Sequence, residues 1–220
     1  MIFIVMTTIK LSNESQYDVL TYITLGATEG CVQDVTKLKF SDPEITIKKE
    51  IPLRGYFNQK AKTSTYVEAP EGMGFNANIS YNSPPQNCSS HDFPNGINLA
   101  EFIVNNPFQG IYGQETIDIS CVAGANAKVK FTMTADDWTS DYGSITKIKS
   151  FENNEWDNNA GLVGVFPYGC DNCTSSDNPP SCVGKQPEYV NKKPICNVQR
   201  PCEKNDGGEI EIILVDLLKM

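Results

Sequence analysis

Apolar and polar residues alternate along much of this chain. Thr8–Ser12 (TIKLS), Tyr17–Leu25 (YDVLTYITL), Glu44–Ile51 (EITIKKEI), Ser64–Val67 and Asn76–Tyr81 carry the pattern in the first part. Leu99–Val104, Thr116–Val122, Lys128–Met133 (KVKFTM), Thr146–Phe151, Leu162–Val165 and Glu209–Val215 (EIEIILV) carry it in the rest. A period of two places successive side chains on opposite faces of an extended chain, so each run predicts a strand with one face toward a core. Pro52–Phe57 adds a turn into another short strand. Gly26, Gly30, Pro70, Gly72, Gly74 and the Pro84-Pro85 pair break the chain between runs. No stretch sustains a 3.6-residue apolar period, so few helices are expected. Many short strands separated by Gly/Pro turns predict an all-β sandwich or barrel.

Two runs carry an acid in an otherwise apolar setting: Glu101 in Leu-Ala-Glu-Phe and Asp118 in Ile-Asp-Ile-Ser. A carboxylate in a strand costs free energy unless it meets water, a cation or a ligand. On pattern alone, a solvated strand face accounts for both as well as a binding site does.

Composition narrows the classes. Eighteen basic against 27 acidic residues leave a net charge of −9, which repels a phosphate backbone, and no Lys/Arg cluster offsets it; nucleic-acid binding is not expected. No apolar run approaches the roughly 20 residues of a membrane span. Met1–Met6 is apolar but lacks a basic flank and the length of a leader's hydrophobic region.

Eight cysteines stand at Cys31, Cys88, Cys121, Cys170, Cys173, Cys182, Cys196 and Cys202. An even count in loop-rich sequence reads as disulfides formed in an oxidising, extracellular or surface-exposed environment. Five of them lie between 170 and 202. If all pair, at least one bridge ties the late segment to the body, and residues 1–220 are expected to form one unit with a Cys-rich insertion over 166–203. The pairing itself is open among about 105 connectivities. Zinc is disfavoured: Cys170-x-x-Cys173 has ligand spacing, but Cys196-x5-Cys202 is too wide and the single histidine, His91, is remote. Asp136-Asp137 and Asp171 lack the oxygen spacing of a calcium loop and read as turns. There is no Gly-rich phosphate loop and no G-x-S-x-G elbow, so neither a metal nor a cofactor is expected. Sequons at Asn13, Asn78, Asn87 and Asn172 permit glycosylation without requiring it.

Leu99-Ala100-Glu101-Phe102, then Ile117-Asp118-Ile119-Ser120 and Val122-x-Gly124-x-Asn126, resemble the central motif of thaumatin-like proteins. The approach Pro94–Leu99, the opening Ile9-x-Leu11-x-Asn13 strand, Pro167-Tyr-Gly-Cys170 and the Gly207-Gly208 entry to the last strand extend the resemblance. It implies a thaumatin-like β-sandwich, here a compact divergent one, with an acidic cleft; several family members bind or slowly hydrolyse β-1,3-glucans. Carried over by position, Glu101 matches the cleft glutamate, Asp118 the first aspartate and Arg54 the arginine. Where a second aspartate belongs, five residues after Asp118, this chain has Ala123.

Three functions follow. The resemblance implies carbohydrate binding, of a polysaccharide or other glycan, with Glu101 and Asp118 as acceptors and Tyr56, Phe57 or Phe102 as stacking surfaces. The departures imply instead a structural surface protein of a cell, matrix or virus particle, self-associating and with a decayed cleft. Weak β-1,3-glucanase activity is the third: glycoside hydrolysis needs two carboxyls about 5–5.5 Å or about 6.5–9.5 Å apart, with one kept protonated. Arg54, if close, would hold both acids ionised and favour binding over catalysis.

Overall fold

The computed structural model describes residues 6–84, 96–108, 114–121, 125–134, 138–140, 142–143, 164–166, 189–190, 193–194, 198–201 and 207–218. Its main elements are β1 (Thr7–Asn13), β2 (Val19–Leu25), β3 (Lys39–Phe40), β4 (Lys48–Ile51), β5 (Arg54–Gln59), β6 (Thr63–Glu68) and β7 (Phe75–Tyr81). They continue as β8 (Leu99–Val104), β9 (Gln114–Ser120), β10 (Ala127–Met133), β11 (Trp138–Thr139), β12 (Val165–Phe166), β13 (Tyr189–Val190), β14 (Lys193–Pro194), β15 (Val198–Pro201) and β16 (Gly208–Leu217). One 3₁₀ turn, Val35–Lys37, interrupts them. Among the described residues, no helix is long and apolar enough to cross a membrane.

The strands form two large sheets. One has the order β11-β10-β16-β1-β6-β3, and the other β12-β9-β8-β7-β2-β5-β4, with β15 also paired to β9. β13 and β14 form a separate two-stranded ladder. The two sheets face each other as a β-sandwich. The alternation read from the sequence decides which side chains meet between them. Strand β10 reads buried and half-buried in strict turn, sending Val129, Phe131 and Met133 inward with Ile9, Leu11, Ile210, Ile212 and Leu214. Ile23, Phe57, Ala77, Ile79, Ala100, Phe102, Ile117 and Ile119 oppose them from the second sheet. Each of the larger ones, the Val, Leu, Ile, Phe and Met side chains, contributes roughly 1.5–3 kcal/mol on leaving water.

Several expectations are refined. The run Glu44–Ile51 is a strand only over Lys48–Ile51, an edge whose four side chains are all exposed. The short strands β3 and β11 carry too few residues for a period to register. Thr146–Phe151 lies outside the described residues, as do Ala123 and His91.

Cys31, expected in a disulfide, is instead a buried thiol. It bridges to Gly74, where a Cβ would come within 2.9 Å of its sulfur. Burial pushes the thiol pKa up, and a backbone N–H donated by Asn76 only partly offsets that, so it is protonated and inert. Cys121 is also buried. The other six cysteines lie outside the described residues.

Two sequons fall in strands. Asn13 is buried and donates its amide to the Tyr17 carbonyl at 2.8 Å, a structural use that leaves it no access to a glycan. Asn78 lies on β7 with its Oδ1 buried.

Candidate functional site

The second sheet has a polar outer face made by the residues between its core positions. Its register builds one continuous row. Arg54 of β5 stands opposite Thr24 of β2, Thr24 opposite Asn78 of β7, Asn78 opposite Glu101 of β8, and Glu101 opposite Asp118 of β9. All lie on one face because each is a cross-strand neighbour of the next. One residue away on the same strands, Ala100 and Ile119 are paired and point into the core.

Glu101 and Asp118 are therefore brought together. Directly opposed residues have Cβ atoms about 4.5–5.5 Å apart. Each keeps some exposed area yet is enclosed by protein on most sides. Loss of solvation raises the Glu101 pKa, and a hydrogen bond from the Ser120 hydroxyl offsets part of the rise. Asp118 is pushed well up, first by loss of solvation and then by the Glu101 charge. Two unit charges about 5 Å apart repel by roughly 3 kcal/mol at an effective dielectric of about 20. Loss of solvation at both acids and repulsion between them therefore favour the protonated form of the pair.

The next two members of the row are also incompletely satisfied. Asn78 Oδ1 and Thr24 Oγ1 are buried without a hydrogen-bond partner. Sequence reading missed both, and the only signal was position: each sits at the polar phase of an alternating strand.

Arg54 is on the same face but does not join the acids. Its Nε donates to Glu50 Oε2 at 2.7 Å. Three strand spacings, about 14 Å, separate its backbone from that of Glu101. The expectation that it neutralises the pair is corrected: the turn at 52–53 brings Glu50 to it first.

The aromatic expectations divide. Phe57 and Phe102 point into the core, because they occupy the apolar phase of their strands. Tyr56 lies on the polar face, tilted against Tyr22 with ring centroids 5.1 Å apart, and the Lys48 ammonium sits 5.9 Å from its ring centre.

No protein-family model and no curated protein sequence matches the chain. Among solved structures, the thaumatin-like xylanase inhibitor TLXI is similar at 11% identity, covering 94% of this chain and 97% of that one with a TM-score of 0.43. That is a distant likeness of fold.

Proposed function

We propose that this face is a carbohydrate-binding site, for a polyhydroxylated ligand of the β-glucan type, centred on Glu101 and Asp118. The observation that carries the reading is the row itself. Two directly opposed carboxyls adjoin two buried oxygens without a hydrogen-bond partner. Sugar hydroxyls donate and accept in the same small space, so a glycan supplies what Asn78 and Thr24 lack while bonding to the acid pair. Tyr56, beside Tyr22, offers an aromatic surface on the same face.

Binding without turnover is the better-supported form. A retaining hydrolase needs one carboxyl ionised as nucleophile beside one protonated acid. Upward shifts at both carboxyls do not forbid that division; what counts against turnover is Ala123, which stands where the family pattern has its second aspartate.

The test is retention of the oxidised protein on insoluble β-1,3-glucan, beside a Glu101→Gln/Asp118→Asn variant. Wild type should be retained and the variant released. If both stay in the supernatant while circular dichroism shows both folded, the glycan reading fails. The structural surface role then stands, to be examined through self-association by light scattering.

A further inference from the structure

Between the start of β1, the end of β6, the start of β7 and the end of β8 lies a cavity of about 250 Å³. Its floor is two cross-strand pairs, one from each sheet: Ile9 opposite Val67, and Phe75 opposite Val104. All four are at most 2% exposed, so the floor is hydrocarbon held in place by the sandwich. Phe75 is fixed further by an edge-to-face contact with Phe102, ring centroids 4.9 Å apart. Protein interiors hold few voids larger than a water molecule. A void floored by hydrocarbon gives water little to bond to and favours an apolar guest.

The polar groups around the floor decide what kind of guest. Thr7 and Asn105 form one wall, but they are committed to each other. Asn105 Oδ1 accepts from the Thr7 N–H at 2.9 Å, and its Nδ2 donates to the Thr7 carbonyl at 2.7 Å. The Thr8 hydroxyl donates to the Gly208 carbonyl. What is left is charge at the rim. Glu68, Glu71 and Lys39 line the cavity and are exposed, and none of them joins a salt bridge among the described residues. Lys39 stands opposite Glu68 on the neighbouring strand and offsets one acid. Glu71 remains, so the mouth carries net negative charge beside a low-dielectric floor, where a charge acts more strongly than in open water. Met6 and Met73 also line the cavity, and their flexible, polarizable side chains adapt to the shape of a guest.

We infer that this cavity binds a small organic cation with an apolar body, of the arylalkylamine class. The ring lies between the Ile9–Val67 and Phe75–Val104 pairs, and the ammonium lies at Glu71. An anion of the same shape meets like charge at the mouth, and a neutral one gains the floor alone. The site is separate from the outer face of the second sheet and does not depend on the carbohydrate reading.

The experiment titrates the full chain with phenethylamine to about 10 mM, beside phenylpropionate and phenethyl alcohol as anionic and neutral probes of like size. Binding is followed by NMR at isotope-labelled methionine methyls. The amine should half-saturate at about 1 mM and shift the Met6 and Met73 methyls. The alcohol should bind several-fold more weakly, and the acid about tenfold more weakly. Glu71→Gln should weaken the amine several-fold and leave the alcohol unchanged. Ala69→Leu narrows the cavity from its wall and should weaken amine and alcohol alike by about tenfold. An amine that moves neither methyl overturns the site, as does binding that Ala69→Leu leaves intact. Phenylpropionate binding as tightly as the amine, or an amine indifferent to Glu71→Gln, overturns the cationic class. Should Ala69→Leu fail to fold, the Met6 and Met73 shifts and Glu71→Gln decide without it.

Discussion

Strand β9 carries two acids three residues apart, and they live in opposite circumstances. Glu115 is only 2% exposed, yet its Oε2 accepts from the Thr7 hydroxyl at 2.8 Å and its Oε1 from the Asn105 N–H at 3.2 Å. Asn105 completes the joint by exchanging hydrogen bonds with the Thr7 backbone at 2.9 and 2.7 Å. Asp118 is less enclosed but faces another acid. Depth alone does not tell the two apart. The difference lies in what was built around each: donors from β1 and the end of β8 around Glu115, a second acceptor opposite Asp118. A buried acid with its donors in place holds the fold, whereas one left facing a like charge awaits something from outside.

That contrast can be broken by mutation. Glu115→Ala strips the acceptor from two donors and should cost about 3 kcal/mol, read as a lower urea midpoint with unchanged slope. A cost below about 1 kcal/mol would mean that Glu115 is no more structural than its neighbour. Asp118→Asn should go the other way, removing a repulsion and adding about 1 kcal/mol near neutral pH. Its pH dependence sharpens the point. Glu101 and Asp118 bind protons more tightly folded than unfolded, so their contribution is fully present below the ordinary carboxylate range near 4 and is lost as pH rises through the raised folded values. Wild-type stability should therefore decline from acid toward neutral pH, and Asp118→Asn should flatten that slope in thermal scans. A loss of stability in Asp118→Asn would make this acid a structural acceptor after all. The smallest effect is expected at the solvent-accessible ion pair of Arg54: Arg54→Ala breaks the bond to Glu50 and should cost no more than about 0.5 kcal/mol, with glucan retention unchanged. Loss of retention would bring Arg54 into the site.

Much of the sandwich could be read directly from alternation. Leu99–Val104 appeared with its bounds intact, because a strand buried on one face has no other economical pattern. Glu101 and Asp118 stood out for the same reason, as polar residues in the most apolar runs. Their direct opposition was not legible. Register depends on the connection between β8 and β9, and a slip of one residue would have sent one acid to the core face. Nor could Asn78 be recognised, since its meaning comes from β8, more than twenty residues later. Aromatic chemistry alone points to Phe57 and Phe102 as sugar platforms, while the strand phase that buries them lies in the same residues. Likeness of position puts Arg54 in the cleft, but a guanidinium pairs with the nearest carboxylate, and that is four residues back.

The parallel pairing of β1 with β16 has a consequence in time. The Thr8 hydroxyl donates to the Gly208 carbonyl, 200 residues further along the chain, and β16 also supplies the partner of β10. At a synthesis rate of roughly 5–20 residues per second, β1 leaves the ribosome about 10–40 s before its neighbour exists. Through that interval β1 and β10 each present an open edge, and Ile9, Leu11 and Phe131 have no complete sheet around them. Strands β2, β5, β7, β8 and β9 pair with one another and need not wait. The nascent protein is thus expected to carry its acid-lined sheet early and its sealing strand late, and to depend on holding chaperones in between.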